Sequence, residues 1–225
     1  MALSGQGFLA LWNGVDPDRE PEYNRWHTRE HVPERVDIPG MIAARRYVDG
    51  EGLLPKFFTL YDLDSIAVLT SAPYRRLLET PSAWSRSMRP SFRGFLRFGC
   101  VTVASLGGGI GGAAATITLH GAPETAADLL SELLALPGVT AAHLGAVDSS
   151  IPGVPFAIGG EAPPPPPDAV LLLESFDRAA LDASLPEADV LLARAGLAPA
   201  TPWTIYRLGY VVARTELADV IRVHQ

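Results

Sequence analysis

The sequence predicts an α+β fold: two tandem ferredoxin-like βαββαβ units packed sheet to sheet as an α/β-barrel. Three observations carry this expectation. The chain resembles itself: Ile38-Pro39-Gly40-Met41-Ile42-Ala43-Ala44-Arg45 matches Leu136-Pro137-Gly138-Val139-Thr140-Ala141-Ala142-His143 at an offset of 98, Phe95 to Gly99 matches Ile205 to Gly209 at an offset of 110, and Leu60 to Asp64 resembles Leu173 to Asp177. Each half also reads strand, helix, strand, strand, helix, strand, the order of a ferredoxin-like unit. Between the halves, Gly107 to Gly112 holds five glycines around Ile110, a flexible joint. The expected units are residues 1–106 and residues 107–225.

In the first unit an apolar run, Phe8 to Val15, predicts a strand, and Glu20 to Val32 reads as a helix. Met41 to Val48 and Lys56 to Asp62 are expected strands, separated by the turn sequence Asp49-Gly50-Glu51-Gly52. A helix over Ala72–Glu79 and a strand over Phe95–Ala104 complete it. The second unit repeats the order with Thr116–His120, Glu124–Leu136, Val139–Val147, Ala169–Phe176, Leu181–Ala195 and Trp203–Ala213. Pro39-Gly40 and Pro137-Gly138 each stop the first helix of their unit, since neither residue continues a helix comfortably. The larger later offset places a longer loop at 149–168, ending in the stiff run Pro163 to Pro167. Two such sheets, each with one face covered by helices, are expected to cover their open faces with one another.

Composition agrees with a packed interior. Of 225 residues, 48% are hydrophobic and 19% charged, which excludes wholesale disorder. The net charge of −7 argues against a phosphate-gripping surface, so no nucleic-acid partner is expected. One cysteine, Cys100, excludes an intramolecular disulfide framework and fits a reducing cytoplasm. Met1 to Gly7 carry no charged leader region, and no run reaches the ~18 apolar residues of a membrane span, so neither secretion nor membrane insertion is expected.

The stretch Tyr23 to Arg35, which contains Glu30-His31-Val32-Pro33, followed by Ile38-Pro39-Gly40 and Ala44-Arg45-Arg46-Tyr47, resembles the dimeric α/β-barrel superfamily and within it the EthD-like proteins. The motif resemblance covers residues 23–47; the second unit matches by element order alone. That superfamily holds cofactor-free monooxygenases, polyketide cyclases, muconolactone isomerases, haem enzymes and proteins of no known activity. The resemblance therefore implies a fold more than a reaction.

On a helical wheel of 100° per residue, Tyr23, Trp26, His27, Glu30 and Glu34 share an arc of roughly 100°, with His31 at its edge. An aromatic arc normally faces a sheet, and a carboxylate buried there needs a donor, for which His27 or an arginine is the expected choice. Two readings are open. One is a structural ion network with Tyr23 and Trp26 as ordinary core. The other is an acid/base pair at the rim of a cavity, with His31 moving a proton and Glu30 orienting it, because imidazole titrates near neutrality. His27-Thr28-Arg29-Glu30-His31 also spells the H-x-x-E-H pattern of inverted zinc peptidases. A catalytic zinc needs a third protein ligand, and Pro33 is expected to cut the helix short, so no metal is expected.

Sliding the second unit under the first by 98 puts Thr125, Asp128 and Leu129 at the places of His27, Glu30 and His31. The first unit also carries 13 of the 18 basic side chains. Any site is therefore expected in the first unit, with the second as a built-in partner. In the last strand of that unit, Leu96, Phe98 and Cys100 form an apolar set assigned to the helix-covered face. Arg97 then faces the cavity between the sheets, where it can hold an acidic ligand or make a salt bridge between the units; Arg207 repeats it. Arg45 and Arg46 alternate, so one of them reaches the cavity, and Arg46 is carried as a candidate. His120, His143 and His224 are scattered, and Cys100 reads as core. No nucleotide, flavin or haem attachment sequence is present, and no cofactor is expected. Two functions follow as expectations. One is a cofactor-independent enzyme (isomerase, cyclase, decarboxylase or monooxygenase) acting on a small lactone, quinone or aromatic polyketide-like molecule. The other is a non-catalytic small-molecule-binding or accessory protein, built as a pseudo-dimer within the chain and open to homodimerisation.

Overall fold

The computed structural model describes residues 3–49, 55–126, 128–152 and 165–220. Strand β1 (Gly7–Val15) is apolar on both faces, and both are covered: Phe8, Ala10 and Trp12 face one way, Leu9, Leu11 and Asn13 the other. A helix then runs over 20–36 in three pieces: α1 (Glu20–Trp26), a π-helical turn over His27–His31, and α2 (Val32–Val36). Strands β2 (Met41–Val48) and β3 (Phe57–Leu63) follow, then α3 (Ala72–Glu79), α4 (Ala83–Met88) and the long β4 (Phe92–Gly107). The second half contains β5 (Ala113–His120), α5 (Leu129–Leu134), β6 (Val139–Val147), β7 (Ala169–Ser175), α6 (Arg178–Arg194), the two-residue β8 (Ala198–Pro199), β9 (Thr204–Ala213) and α7 (Arg214–Val220).

The first four strands lie in the order β4-β1-β3-β2, and the second set in the order β9-β5-β7-β6. The sets are joined edge to edge by β4 with β6 and β2 with β9, every pair antiparallel, which closes an eight-stranded barrel with helices outside. The α+β barrel read from the sequence is thus the observed fold, with edge hydrogen bonds added to the contact between faces. Gly40 and Gly138 stand at equivalent places with positive φ, and a Cβ at either would meet Val68 or Ala180 at 2.5 or 2.6 Å.

Two expectations change. Pro33 does not end its helix. In the π register Val32 N–H bonds His27 O, and the next carbonyl, Thr28 O, which Pro33 has no N–H to reach, accepts instead from Tyr210 Oη at 3.4 Å. The helix expected over 124–136 is a 3₁₀ turn at Pro123–Thr125 and the short α5. The sequence reading passed over α4 and α7 as separate elements. The turn at residues 50–52 and most of the 149–168 loop lie outside the described residues.

The barrel interior is filled. Phe8, Trp12, Tyr47, Phe58 and Tyr206 pack there with Leu172 and Cys100. Across it runs a buried polar chain: Arg45 of β2 pairs with Glu174 of β7, His143 Nε2 lies 3.2 Å from Glu174 Oε1, Gly111 N–H donates to Glu174 Oε2 at 2.6 Å, and Ser105 Oγ lies 2.8 Å from His143 Nδ1. Burial by itself would raise the Glu174 carboxyl, but the His143 hydrogen bond and the Arg45 charge leave it below its ordinary value. The salt bridge between the halves is therefore made by Arg45, and Arg97 points away from the barrel interior.

Candidate functional site

The face of a strand decides which side chains meet the helices. Arg97 is directly opposite Leu11, and Phe98 is opposite Ala10, so Leu96, Phe98 and Cys100 point into the barrel while Arg97 points under the helices. This reverses the assignment made from the sequence. The apolar set looked helix-covered, but barrel closure makes the inner face equally dry, so apolarity does not tell the two faces apart. Arg207, at the corresponding place, is exposed and donates to Leu208 O at 3.4 Å.

On the helix-covered side of the first sheet lies a cavity of about 30 Å³, lined by Tyr23, Trp26, His27, His31 and Arg35 from the helix and by Leu11, Asn13, Thr59, Tyr61 and Arg97 from the strands, with Tyr74, Leu78, Phe92 and Phe95 closing it. The π turn explains this set. One extra residue per turn moves the phase, so the inward row reads Tyr23, His27, His31, Arg35, and His31 comes from the edge of the arc to its centre. The Trp26 and His31 rings, five residues apart, sit 4.1 Å centroid to centroid, and His27 stacks on His31 at 5.3 Å.

Glu30 is displaced from the row and does not orient His31. Its carboxylate accepts hydrogen bonds from Ser82 Oγ and, at 3.2 Å, from Ser85 Oγ, and Ser85 Oγ in turn accepts from Trp26 Nε1 at 3.1 Å. The donors are serines at the start of α4, so Glu30 fastens α4 to the first helix. Among the described residues no three His, Cys, Asp or Glu side chains gather as metal ligands.

Arg46 is the arginine on this side of β2, but it lies behind the cavity, over the rings of Phe57 at 4.5 Å and Tyr23 at 5.0 Å, with Asn24 Oδ1 at 2.6 Å. Tyr23 Oη donates to Asn13 Oδ1 at 3.1 Å, and burial raises its phenol against the opposing Arg46 charge. His27 Nε2 lies 3.4 Å from Thr59 Oγ1. Arg35, a buried side chain that the sequence reading quoted but did not single out, donates to His31 O at 3.1 Å and to Glu34 at 2.6 Å. Arg97 donates to Tyr74 Oη at 3.1 Å and to Pro152 O at 3.2 Å.

Both imidazoles are held well below the usual histidine range. Burial is the first cause in each case; Arg46 and Arg35 add to it at His27, and Arg35, His27, Arg89 and Arg46 at His31. At neutral pH the site presents two neutral imidazoles between arginines, each with one ring nitrogen able to accept a hydrogen bond, in a setting that favours negative charge on a ligand. Sequence reasoning missed Thr59, Tyr61 and Tyr74 as well as Arg35. The alternation Phe57, Thr59, Tyr61 on one face of β3 and the spacing of four from Tyr23 to Arg35 were the available signals.

No protein-family model and no curated protein matches the chain. Solved structures do match in shape. An anthrone oxidase-like protein aligns with a TM-score of 0.64 at 9% identity, over 95% of this chain and 96% of that one. A protein assigned as a monooxygenase from Lactobacillus acidophilus aligns with a TM-score of 0.53 at 9% identity, covering 92% and 96%. A haem-binding protein from Thermus thermophilus aligns at 0.52 and 12% identity, covering 99% and 97%. These structures share this chain's α+β barrel fold, which here carries a histidine-lined cavity under the helices of its first sheet. No helix among the described residues is long and apolar enough to cross a membrane.

Proposed function

We propose that this protein is a cofactor-independent enzyme, acting in the cytoplasm, that moves a proton on a small, mostly apolar, oxygen-bearing molecule such as a lactone, quinone or aromatic polyketide. The observation that carries the reading is the stacked His27–His31 pair, neutral and, among the described residues, without a protein partner at either Nδ1, at the wall of a cavity that also holds Arg97. Only the reacting edge of the substrate enters this cavity, where His31 takes the proton beside Trp26 and Tyr23, while Arg97 holds the part that lies outside. Proton removal is the step shared by isomerisation, cyclisation and oxygenation without a cofactor, and a positioned base contributes roughly 10²–10⁴-fold. The shape shared with an anthrone oxidase-like protein supports substrates with an acidic C–H conjugated to a carbonyl. The Glu30-His31-Val32-Pro33 stretch supports a place among the EthD-like proteins, with residues 1–106 as the active unit and residues 107–225 as its built-in partner.

Haem does not fit. The space between α5, α6 and the second sheet is filled by Leu130, Leu133, Leu181 and Leu192, and the cavity under the first helices is about 30 Å³. A second reading, a non-catalytic binding or accessory protein, is supported by the filled and salt-bridged barrel interior. Exchange of the methylene protons of anthrone in deuterated water, followed by mass spectrometry, separates the two. The enzyme reading expects acceleration by the wild type and a loss of about 100-fold in His31→Ala. Equal rates with both proteins would leave the binding reading.

A further inference from the structure

Four residues lining this small cavity each keep a buried polar atom with no protein partner among the described residues: His27 Nδ1, His31 Nδ1, Tyr61 Oη and Arg97 Nε. Buried polar groups are almost always paired, so a concentration of unpaired ones around a single void marks a place built for something that is not protein. The cavity has room for about two water molecules, which suits one ligand oxygen and not a whole organic molecule. Tyr61 is almost wholly buried on β3, and Arg97 pairs with no carboxylate among the described residues. Two groups on the sheet side, Tyr61 and Arg97, are thus free to donate, facing neutral imidazoles on the helix side that are free to accept.

Arg97 and Leu78 also line a second depression of about 310 Å³, walled by Leu69 and Pro152, with Arg75 and Glu79 exposed at its rim. The two spaces share these side chains as a common wall: a small chamber that holds the unpaired polar atoms inside and a larger, mainly apolar one outside.

We propose that Tyr61 Oη and Arg97 Nε form an oxyanion site, which takes the ionised oxygen of a phenolate or enolate whose apolar body lies in the outer depression. The proposal rests on the reading of this cavity as a ligand site. Burial pushes the Tyr61 phenol far above its ordinary value, so it stays a donor throughout the working range. The present acceptors of the Arg97 guanidinium, a carbonyl and a phenol, are neutral. An anionic oxygen makes shorter and stronger bonds than either, so the ligand competes well for the guanidinium. Donors fixed before the charge develops favour the ionised form of the ligand over the neutral one.

The test uses 4-nitrophenol, whose phenolate is read by absorbance, with nitrobenzene as the partner lacking the hydroxyl. The expected result is that 4-nitrophenol ionises at lower pH when bound than when free. In Tyr61→Phe and Arg97→Gln, phenolate affinity falls about tenfold or more while nitrobenzene binding is unchanged. Retention of the wild-type unfolding temperature by Tyr61→Phe, which preserves ring and shape, keeps a folding defect from mimicking the loss. Binding of nitrobenzene as tightly as the phenolate, binding of neither, or variants indistinguishable from wild type would each overturn the proposal. Failure here with anthrone exchange intact removes the oxyanion site alone. Loss of His31-dependent exchange with phenolate binding intact removes the catalytic reading alone.

Discussion

The two helix-covered faces of the barrel have the same strand order and opposite contents. Over the second sheet, α5 and α6 press Leu130, Leu133, Leu181, Leu185 and Leu192 against Ile117, Leu144 and Leu171, forming a continuous apolar layer. Over the first, the helix of residues 20–36 brings Tyr23, Trp26, two histidines and Arg35 down on Thr59, Tyr61 and Arg97, and a cavity remains. The difference begins in the backbone. Five residues of π helix, His27–His31, place a stacked aromatic and imidazole row inward, while α5 at the corresponding place has six residues and no such turn. The leucine layer contributes stability, whereas the first face gives up packing for unpaired polar groups, the pattern expected where a fold carries a site.

The largest expected effect is at the seam where the two halves join. Glu174→Ala leaves Arg45 and His143 buried without their acid and should cost about 3–5 kcal/mol in denaturant unfolding. Leu130→Ala on the second face should cost about 2–5 kcal/mol by opening a cavity, while phenolate binding at the first face stays as in wild type. A change in that binding would mean the two faces are coupled rather than separate.

Acid titration sharpens the contrast next. A buried histidine with a lowered folded pKa binds fewer protons folded than unfolded, so stability falls as pH drops below about 6.5 toward the folded value, by at most about 1.4 kcal/mol per pH unit. His27→Gln should flatten that dependence, measured by thermal unfolding between pH 7 and 5. The smallest effect is expected at Glu30→Gln. The amide oxygen still accepts from Ser82 and Ser85, so stability should change by under about 1 kcal/mol. The pH profile of proton exchange should keep its shape; a shifted profile would return Glu30 to the base.

The sequence carried the barrel further than the site. The repeated Pro-Gly stops and apolar runs located every strand of the barrel within a few residues; β2 and β6 match their expected spans. His31, His27, Tyr23, Trp26 and Arg97 also reach the cavity. Glu30 and Arg46 do not, for different reasons. A wheel of 100° per residue cannot anticipate a π turn, which moves Glu30 out of the row and Arg35 into it. Arg46 shares the correct face but is screened by Tyr23. The cavity was expected between the sheets because a barrel strand is dry on both sides, and alternation alone does not say which side the helices cover. Tyr61 could be read as core from its apolar neighbours; only the structure reveals its hydroxyl without a partner.

The central claim is that the first face holds two neutral imidazoles facing a ligand chamber, and histidine-selective ¹⁵N NMR tests it directly. Spectra recorded from pH 7 to 5 should show His27 and His31 neutral at pH 6, with 4-nitrophenolate shifting both and leaving His120 unmoved. A His31 that titrates near 6.5 and ignores the phenolate would contradict the account.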